Sequence, residues 1–338
     1  MPRIPGPTMA SFRETPTPST LHAVTGLFRT GVERSKNGTI VKKLLAIGIV
    51  ICPALWAGAG SAEDIPNRGT VDIGQTKPDL VVPAMTEQAP GPGLRVKQTT
   101  SGYENTKVHH ALYFPTDWQK GKTYPVIVEY AGNQWKKTSP GTVQGSNLGY
   151  GISGGKGFIW VCMPYLDGKG TANVGTWWGD PGTYQAQPTV DYCIKTVGEI
   201  CRRYGGDPNA VILCGFSRGA IACNFIGLYN DEIARLWRAF VCYSHYDGVD
   251  KWPYPGSARE FALERLKRLG GRPQFICCEA PTRGRDVLQD TKKYIESTGV
   301  KAPFTYSYSG FMQHDDAWTL RPCPARDALR AWLKGVLK

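Results

Sequence analysis

From residue 107 to the C-terminus, short apolar runs alternate with longer stretches in which apolar residues recur every three or four positions. Residues 107–115, 125–130, 158–163, 211–214, 238–243, 274–278 and 304–308 are too short for helices and rich in Val, Ile, Phe, Tyr and Cys, so they predict strands. Several are apolar throughout, as strands covered on both faces are. Helical spacing predicts helices over 190–204, 221–229, 257–269, 286–297 and 326–337. Ser257-Ala258-Arg259-Glu260 reads as a capping box opening the third of these, and Gly299 as the stop of the fourth. The alternation predicts an α/β protein with a mostly parallel sheet and helices on both faces. Residues 63–100, with Pro90-Gly91-Pro92-Gly93, read as an extended arm or linker, and 101–338 as the folded domain.

One junction in this pattern carries chemistry. The run 211–214 is followed by Gly215-Phe216-Ser217-Arg218-Gly219 and then by Ile221, Ala222, Phe225, Ile226 and Tyr229 at helical spacing. That is G-x-S-x-G at a strand-to-helix turn, where two glycines permit a tight, strained turn that lifts the Ser217 hydroxyl to a helix N-terminus. With strand, elbow and helix in register, the chain resembles an α/β-hydrolase of the esterase and dipeptidyl-peptidase-like type from about residue 107 onward.

The resemblance implies a serine nucleophile, a histidine base and an orienting acid, with the histidine last in the chain. Ser217 is then the nucleophile. Of the histidines at 109, 110, 245 and 314, His314 stands just beyond the last predicted strand, where this fold carries its base. The acid is expected after the strand 274–278, which makes Glu279 the first choice; Asp247 and then Asp286 are the alternatives, Asp286 also reading as a helix N-cap with Gln289. The backbone N–H of Arg218 would be one oxyanion donor, and the loop Ala131-Gly132-Asn133-Gln134 would supply the second through Asn133, with Gln134 as alternative. Trp177 and Trp178 fall in an insertion where such folds build substrate pockets; they read equally as ligand-stacking rings and as core anchors of a long loop.

Charge and cysteine usage narrow the class. The chain has a formal charge of +12; residues 1–62 hold 7 Lys/Arg against 2 acidic residues, leaving +7 spread over the rest without a basic block. A solvated surface and no nucleic-acid partner are expected. Residues 41–62 combine a charged start, an apolar stretch broken by Pro53 and a small-residue end, the form of a secretory signal and not of a membrane span. Its position predicts translation starting at Val41, export, and no membrane association after cleavage. Of ten cysteines, Cys52 lies in the signal, and Cys162, Cys214, Cys242 and Cys277 sit on predicted core strands; one or two disulfides are compatible with the rest. No Cys/His spacing suggests zinc, and neither a metal nor a cofactor is expected. The expected function is a secreted or periplasmic serine carboxylic-ester hydrolase working through an acyl-enzyme on small or polymeric esters, such as acylated polysaccharide or polyester. A serine peptidase and a noncatalytic binding protein of the same fold are the alternatives. Oligomeric state is open.

Overall fold

The computed structural model describes residues 71–134, 141–281 and 284–338, so the signal-like segment and the first part of the 63–100 arm lie outside the described residues. In chain order the strands are β1 (Met85–Thr86), β2 (Arg95–Gln98), β3 (His110–Tyr113), β4 (Tyr124–Tyr130), β5 (Ile159–Met163), the hairpin pair β6 (Tyr165–Leu166) and β7 (Asn173–Val174), then β8 (Gly206–Phe216), β9 (Ala239–Tyr243), β10 (Gln274–Cys278) and β11 (Phe304–Tyr308). The helices are α1 (Leu148–Ser153), α2 (Gln187–Tyr204), α3 (Arg218–Phe225), α4 (Asp231–Ala234), α5 (Arg259–Lys267), α6 (Val287–Thr298) and α7 (Pro324–Val336). None of them is long and apolar enough to cross a membrane.

Nine strands form one sheet in the order β1-β2-β3-β5-β4-β8-β9-β10-β11. From β5 to β11 every neighbouring pair is parallel, while β3 is antiparallel to both β2 and β5. The mostly parallel sheet is what the alternating pattern predicts, and its order, with one strand reversed near the edge, is the α/β-hydrolase fold that the resemblance implies. Strand order runs outward from β4 to β5 and then reverses through β8, so the sheet has its switch point where the carboxyl ends of β4 and β8 lie side by side. A crevice opens there because the two chains leave in opposite directions.

Side-chain alternation along the strands explains the layers. Val126, Val128 and Tyr130 of β4 belong to the core shared with α2, α3 and α6, while Ile127 belongs to the core shared with α1 and α7. Glu129 falls on that second face, fully buried, where it accepts from the amides of Leu148 and Gly149 at the start of α1 and from Trp160 Nε1. The nine described cysteines are all free thiols, seven of them buried.

Of the arm and the linker read for residues 63–100, the described part is an arm that packs on the domain, and the linker alternative does not form: β1 and β2 extend the sheet, Val71 bridges to Phe311, and Asp79 forms an ion pair with Arg326 of α7. A Pro- and Gly-rich segment still carries backbone amides that an open sheet edge can bind, and its Arg95 stacks on Trp160 while donating to the carbonyls of Val143 and Gln144. The capping box at Ser257 does not form either. The Ser257 hydroxyl donates to the carbonyl of Trp252 at 2.7 Å, and α5 starts at Arg259 with Ala258 in the cap position. Asp286, by contrast, caps α6 through the amide of Gln289, and Gly299 ends it in the left-handed conformation.

Candidate active site

Ser217 stands between the last residue of β8 and the first of α3, with φ 54° and ψ −114°. The two flanking glycines make that geometry attainable. A Cβ at Gly215 would lie 2.2 Å from the backbone of Gly219, and one at Gly219 would lie 1.9 Å from the carbonyl oxygen of Tyr130. Any larger residue at either place would open the elbow. The Arg218 amide is the first of the helix, and the first-turn amides of a helix have no intrahelical carbonyl to bond.

Three further strands deliver side chains to the same carboxyl edge. His314 follows β11, and its Nε2 lies 3.0 Å from Ser217 Oγ. Glu279 is the residue after β10, and its Oε1 lies 2.5 Å from His314 Nδ1. Ser244, the residue after β9, donates its hydroxyl to Glu279 Oε1 at 2.8 Å. The imidazole packs against the Phe216 ring at 4.7 Å and is half exposed, whereas the Glu279 side chain is 15% exposed. Burial alone would raise the Glu279 carboxyl, but the hydrogen bond from His314 and the charge of that ring, with smaller help from a backbone amide and the Ser244 hydroxyl, outweigh it and hold the group below its ordinary value. A carboxylate kept ionised at Nδ1 orients the ring and leaves Nε2 free to accept a proton from the serine.

The other candidate acids are elsewhere. Asp247 is buried in a bidentate pair with Arg265 at 2.8 and 3.0 Å, and Asp286 is occupied as the α6 cap and by the Tyr308 hydroxyl at 2.6 Å. Neither lines the cavity at Ser217, nor do His109 and His110. Gln134, the alternative oxyanion donor, has its amide committed to the carbonyl of Gly175 at 2.6 Å. Asn133 and Gly132 do line the cavity, Gly132 lying directly against Phe216 and Ser217.

The cavity itself is about 700 Å³. Its lining combines polar residues (Ser146, Asn147, Gln313 and Asp316) with apolar ones (Trp177, Trp252 and Ile221). Among the described residues no group of three or more His, Cys, Asp or Glu side chains could hold a metal. The two adjacent tryptophans part company. Trp177 reaches the cavity, its ring centre 5.2 Å from that of Trp252. Trp178 does not line it, so of the two roles read for it the core anchor is the one seen: it is fully buried, stacked on Phe225 at 4.4 Å, with its ring centre 5.7 Å from that of Trp177.

Sequence reading missed the side chain of Arg218, having considered only its amide. The guanidinium is buried, lies 3.8 Å above the Tyr165 ring, and donates to the carbonyls of Trp177, Gly132 and Gly141 at 2.6, 2.8 and 3.1 Å. Two points of the β4–α1 connection and one of the segment between β7 and α2 are thereby tied to the elbow. Burial pushes its pKa down to about 10, still well above neutral pH. Trp177, in a left-handed conformation with φ 50°, is gripped at its amide as well, by Asn133 Oδ1 at 2.8 Å. An arginine inside a run that must be buried was the available signal, since such a charge needs several acceptors.

No family model and no curated protein matches the sequence. Among solved structures the chain is similar to dipeptidyl peptidase 4 of Porphyromonas gingivalis, at 17% identity and a TM-score of 0.47, over 73% of this chain and 36% of that one. It is also similar to a truncated carbohydrate esterase from gut microbiota (14%, TM-score 0.49, 74% and 99% of the two chains). A third is the fluorophosphonate-binding serine hydrolase F of Staphylococcus aureus (12%, TM-score 0.48, 73% and 100%). The chain spans about a third of the length of the peptidase. At such identities the site's own geometry, and not these neighbours, carries the functional reading.

Proposed function

We propose that this protein is a serine hydrolase of carboxylic esters that works through an acyl-enzyme. The observation that carries the reading is the unbroken line from Ser217 Oγ to His314 Nε2 at 3.0 Å and from His314 Nδ1 to Glu279 Oε1 at 2.5 Å. In the first half-reaction Ser217 Oγ attacks the ester carbonyl carbon while His314 Nε2 takes its proton. The carbonyl oxygen becomes an oxyanion, held by the amides of Arg218 and Asn133. Collapse breaks the bond to the alcohol, which leaves with the proton from His314. Water then repeats the attack on the acyl-serine, His314 again serving as base, and the acid product departs with Ser217 restored.

Further parts of the reading go with it. Export is supported by the tripartite segment at residues 41–62, and we place the protein outside the cytoplasm, secreted or periplasmic. Substrates met there include acyl groups on polysaccharides and polyesters. A cavity of about 700 Å³ lined by both polar and aromatic side chains is compatible with either class.

The test is labelling with a fluorophosphonate followed by a substrate panel. Stoichiometric modification of Ser217, absent in Ser217→Ala, is the expected result, with turnover of p-nitrophenyl esters, acetylated xylan or methyl ferulate. An inert Ser217 in folded protein would overturn the enzyme in favour of a binding protein. Cleavage of dipeptidyl p-nitroanilides without ester turnover would make it a peptidase.

A further inference from the structure

We infer that Ser244 is a positioning residue of this proton relay, locking Glu279 and the Nδ1 edge of His314 into one hydrogen-bonded unit; the inference rests on the hydrolase reading above. Its Oγ lies 2.8 Å from Glu279 Oε1 and 2.8 Å from His314 Nδ1, and 3.3 Å from His245 Nδ1. Only 2% of the residue is exposed, so water does not compete for these contacts. A hydroxyl has one hydrogen and two lone pairs. The hydrogen goes to the carboxylate, and the lone pairs face the imidazole, whose Nδ1–H is then shared between Glu279 Oε1 and Ser244 Oγ.

The backbone argues that the side chain is the reason for this residue. Ser244 has φ 85°, in the left-handed region that glycine occupies freely and residues with a Cβ rarely do. The turn after β9, fixed by the Ser244 amide donating to the Cys277 carbonyl at 2.8 Å, would be met without strain by glycine. Serine accepts the strain and returns three contacts, the two shorter ones to the relay. Strain of this kind persists where the surroundings over-determine the conformation.

The consequence follows the charge. When Ser217 gives its proton to His314 Nε2, the ring becomes positive and Nδ1–H must keep its acceptor throughout the step. Ser244 fixes the position of Glu279 Oε1 and offers a second acceptor on the same side, so turning the ring away from Ser217 would break both contacts at Nδ1. The hydroxyl proton of Ser244 stays where it is; the transferred proton passes from Ser217 through His314 to the leaving oxygen. His245 packs edge-on against His314, with ring centres 5.4 Å apart.

The experiment compares Ser244→Gly with Ser244→Ala in the full chain. Both remove the hydroxyl, but only glycine relieves the backbone, so it remains testable if the alanine variant folds poorly. We expect kcat to fall ~10–100-fold in both, the loss seen when a reacting group is left slightly misplaced, with KM within about twofold. The low-field Nδ1–H proton resonance of His314 should move upfield in both. Wild-type rates and resonance in the glycine variant would overturn the inference, as would a loss confined to alanine, or lost turnover with the resonance unmoved. Fluorophosphonate labelling separates this from the underlying reading. An unlabelled wild type sinks the hydrolase, whereas a labelled wild type with equally fast labelling of both variants sinks only the role of Ser244.

Discussion

Arg218 Nη2 donates to the carbonyl oxygen of Gly132 at 2.8 Å, joining the residue after the proposed nucleophile to the loop proposed to supply the second oxyanion donor. The same guanidinium holds Gly141 and Trp177, so the elbow, the loop at Gly132 and the segment at Trp177 share one anchor. Backbone amides stabilise a developing oxyanion only if they are aimed before the reaction begins, and on the proposed reading this clamp would aim them.

Removing the clamp should therefore cost more than packing. Arg218→Met leaves three buried carbonyls without their donor, and we expect kcat/KM to fall by ~100-fold or more, the scale of losing one oxyanion donor. Arg218→Lys, a single ammonium in place of a fork, should recover part of the loss and not all of it. Steady-state kinetics with thermal melts checks both; wild-type kcat in the methionine variant would show that the loops stand without it.

The acid can be separated from its rivals by opposite phenotypes. Glu279→Gln should lower kcat by ~10⁴-fold with the fold intact, as when the orienting acid of a triad is neutralised. Asp247→Ala breaks a buried ion pair and should cost ~3–5 kcal/mol of stability while leaving turnover of the folded protein near wild type. If Asp247 alone proved essential for turnover, the assignment of Glu279 would be wrong.

Adjacent tryptophans should behave as unlike residues. Trp178→Ala removes a fully buried indole and should destabilise by ~3–5 kcal/mol. Trp177→Ala should instead show itself in KM, raising it for esters with an aryl or sugar ring more than for p-nitrophenyl acetate. Denaturant unfolding and kinetics on both substrate types measure the contrast.

The arm should matter to the base. Gln313, next to His314, donates to Asp72 Oδ2 at 2.9 Å and accepts from the Ile73 amide at 2.8 Å, while Val71 pairs with Phe311. Asp72→Ala and Gln313→Ala should each lower kcat ~3–10-fold through displacement of the histidine loop. In the double variant the losses should fail to add, since each removes the same contact. Full additivity in the cycle would refute the coupling.

Stability should depend on pH through two buried groups with opposite slopes. Burial, and then the charge of Glu129, push the Asp316 carboxyl up to about 8, against about 3.9 in an unfolded chain. Between those values the folded state keeps a proton that the unfolded chain has lost, so stability falls as pH rises through that window, by on the order of several kcal/mol. Burial pushes His110 down to about 3, so between about 6.5 and 3 the unfolded chain takes up a proton that the folded state refuses, and stability falls as pH drops. The two contributions offset each other between about 4 and 6.5, and guanidinium midpoints at pH 4, 6 and 9 test this: Asp316→Asn should flatten the fall from pH 6 to 9 and leave stability rising from pH 4 to 6, while His110→Gln should make stability fall from pH 4 to 6.

Much of this molecule was legible without coordinates because its signals are local. Strand and helix periods are properties of a few consecutive residues, and Gln274–Cys278 and Phe304–Tyr308 run as their apolar patterns predict. The elbow around Ser217 is local too, since Gly215 and Gly219 are needed by the turn itself. His314 and Glu279 were singled out through chain order in a resembling fold, not through any pattern of their own neighbours.

Other features depend on residues meeting across the sheet. Glu279, Asp247 and Asp286 are alike as carboxylates near strand or helix ends; only tertiary structure gave one a histidine, one an arginine and one a helix amide. The arm at residues 71–100 has the composition of a linker, yet an open sheet edge bound it, and composition cannot report an edge on a distant strand. Ser244 and the Arg218 guanidinium act through partners that lie dozens of residues away in the chain. The amino-acid order determined which elements form and where a nucleophile can be raised. Which side chains complete the site was decided by packing, because a hydrogen bond is set by distance in space and leaves no period in the sequence.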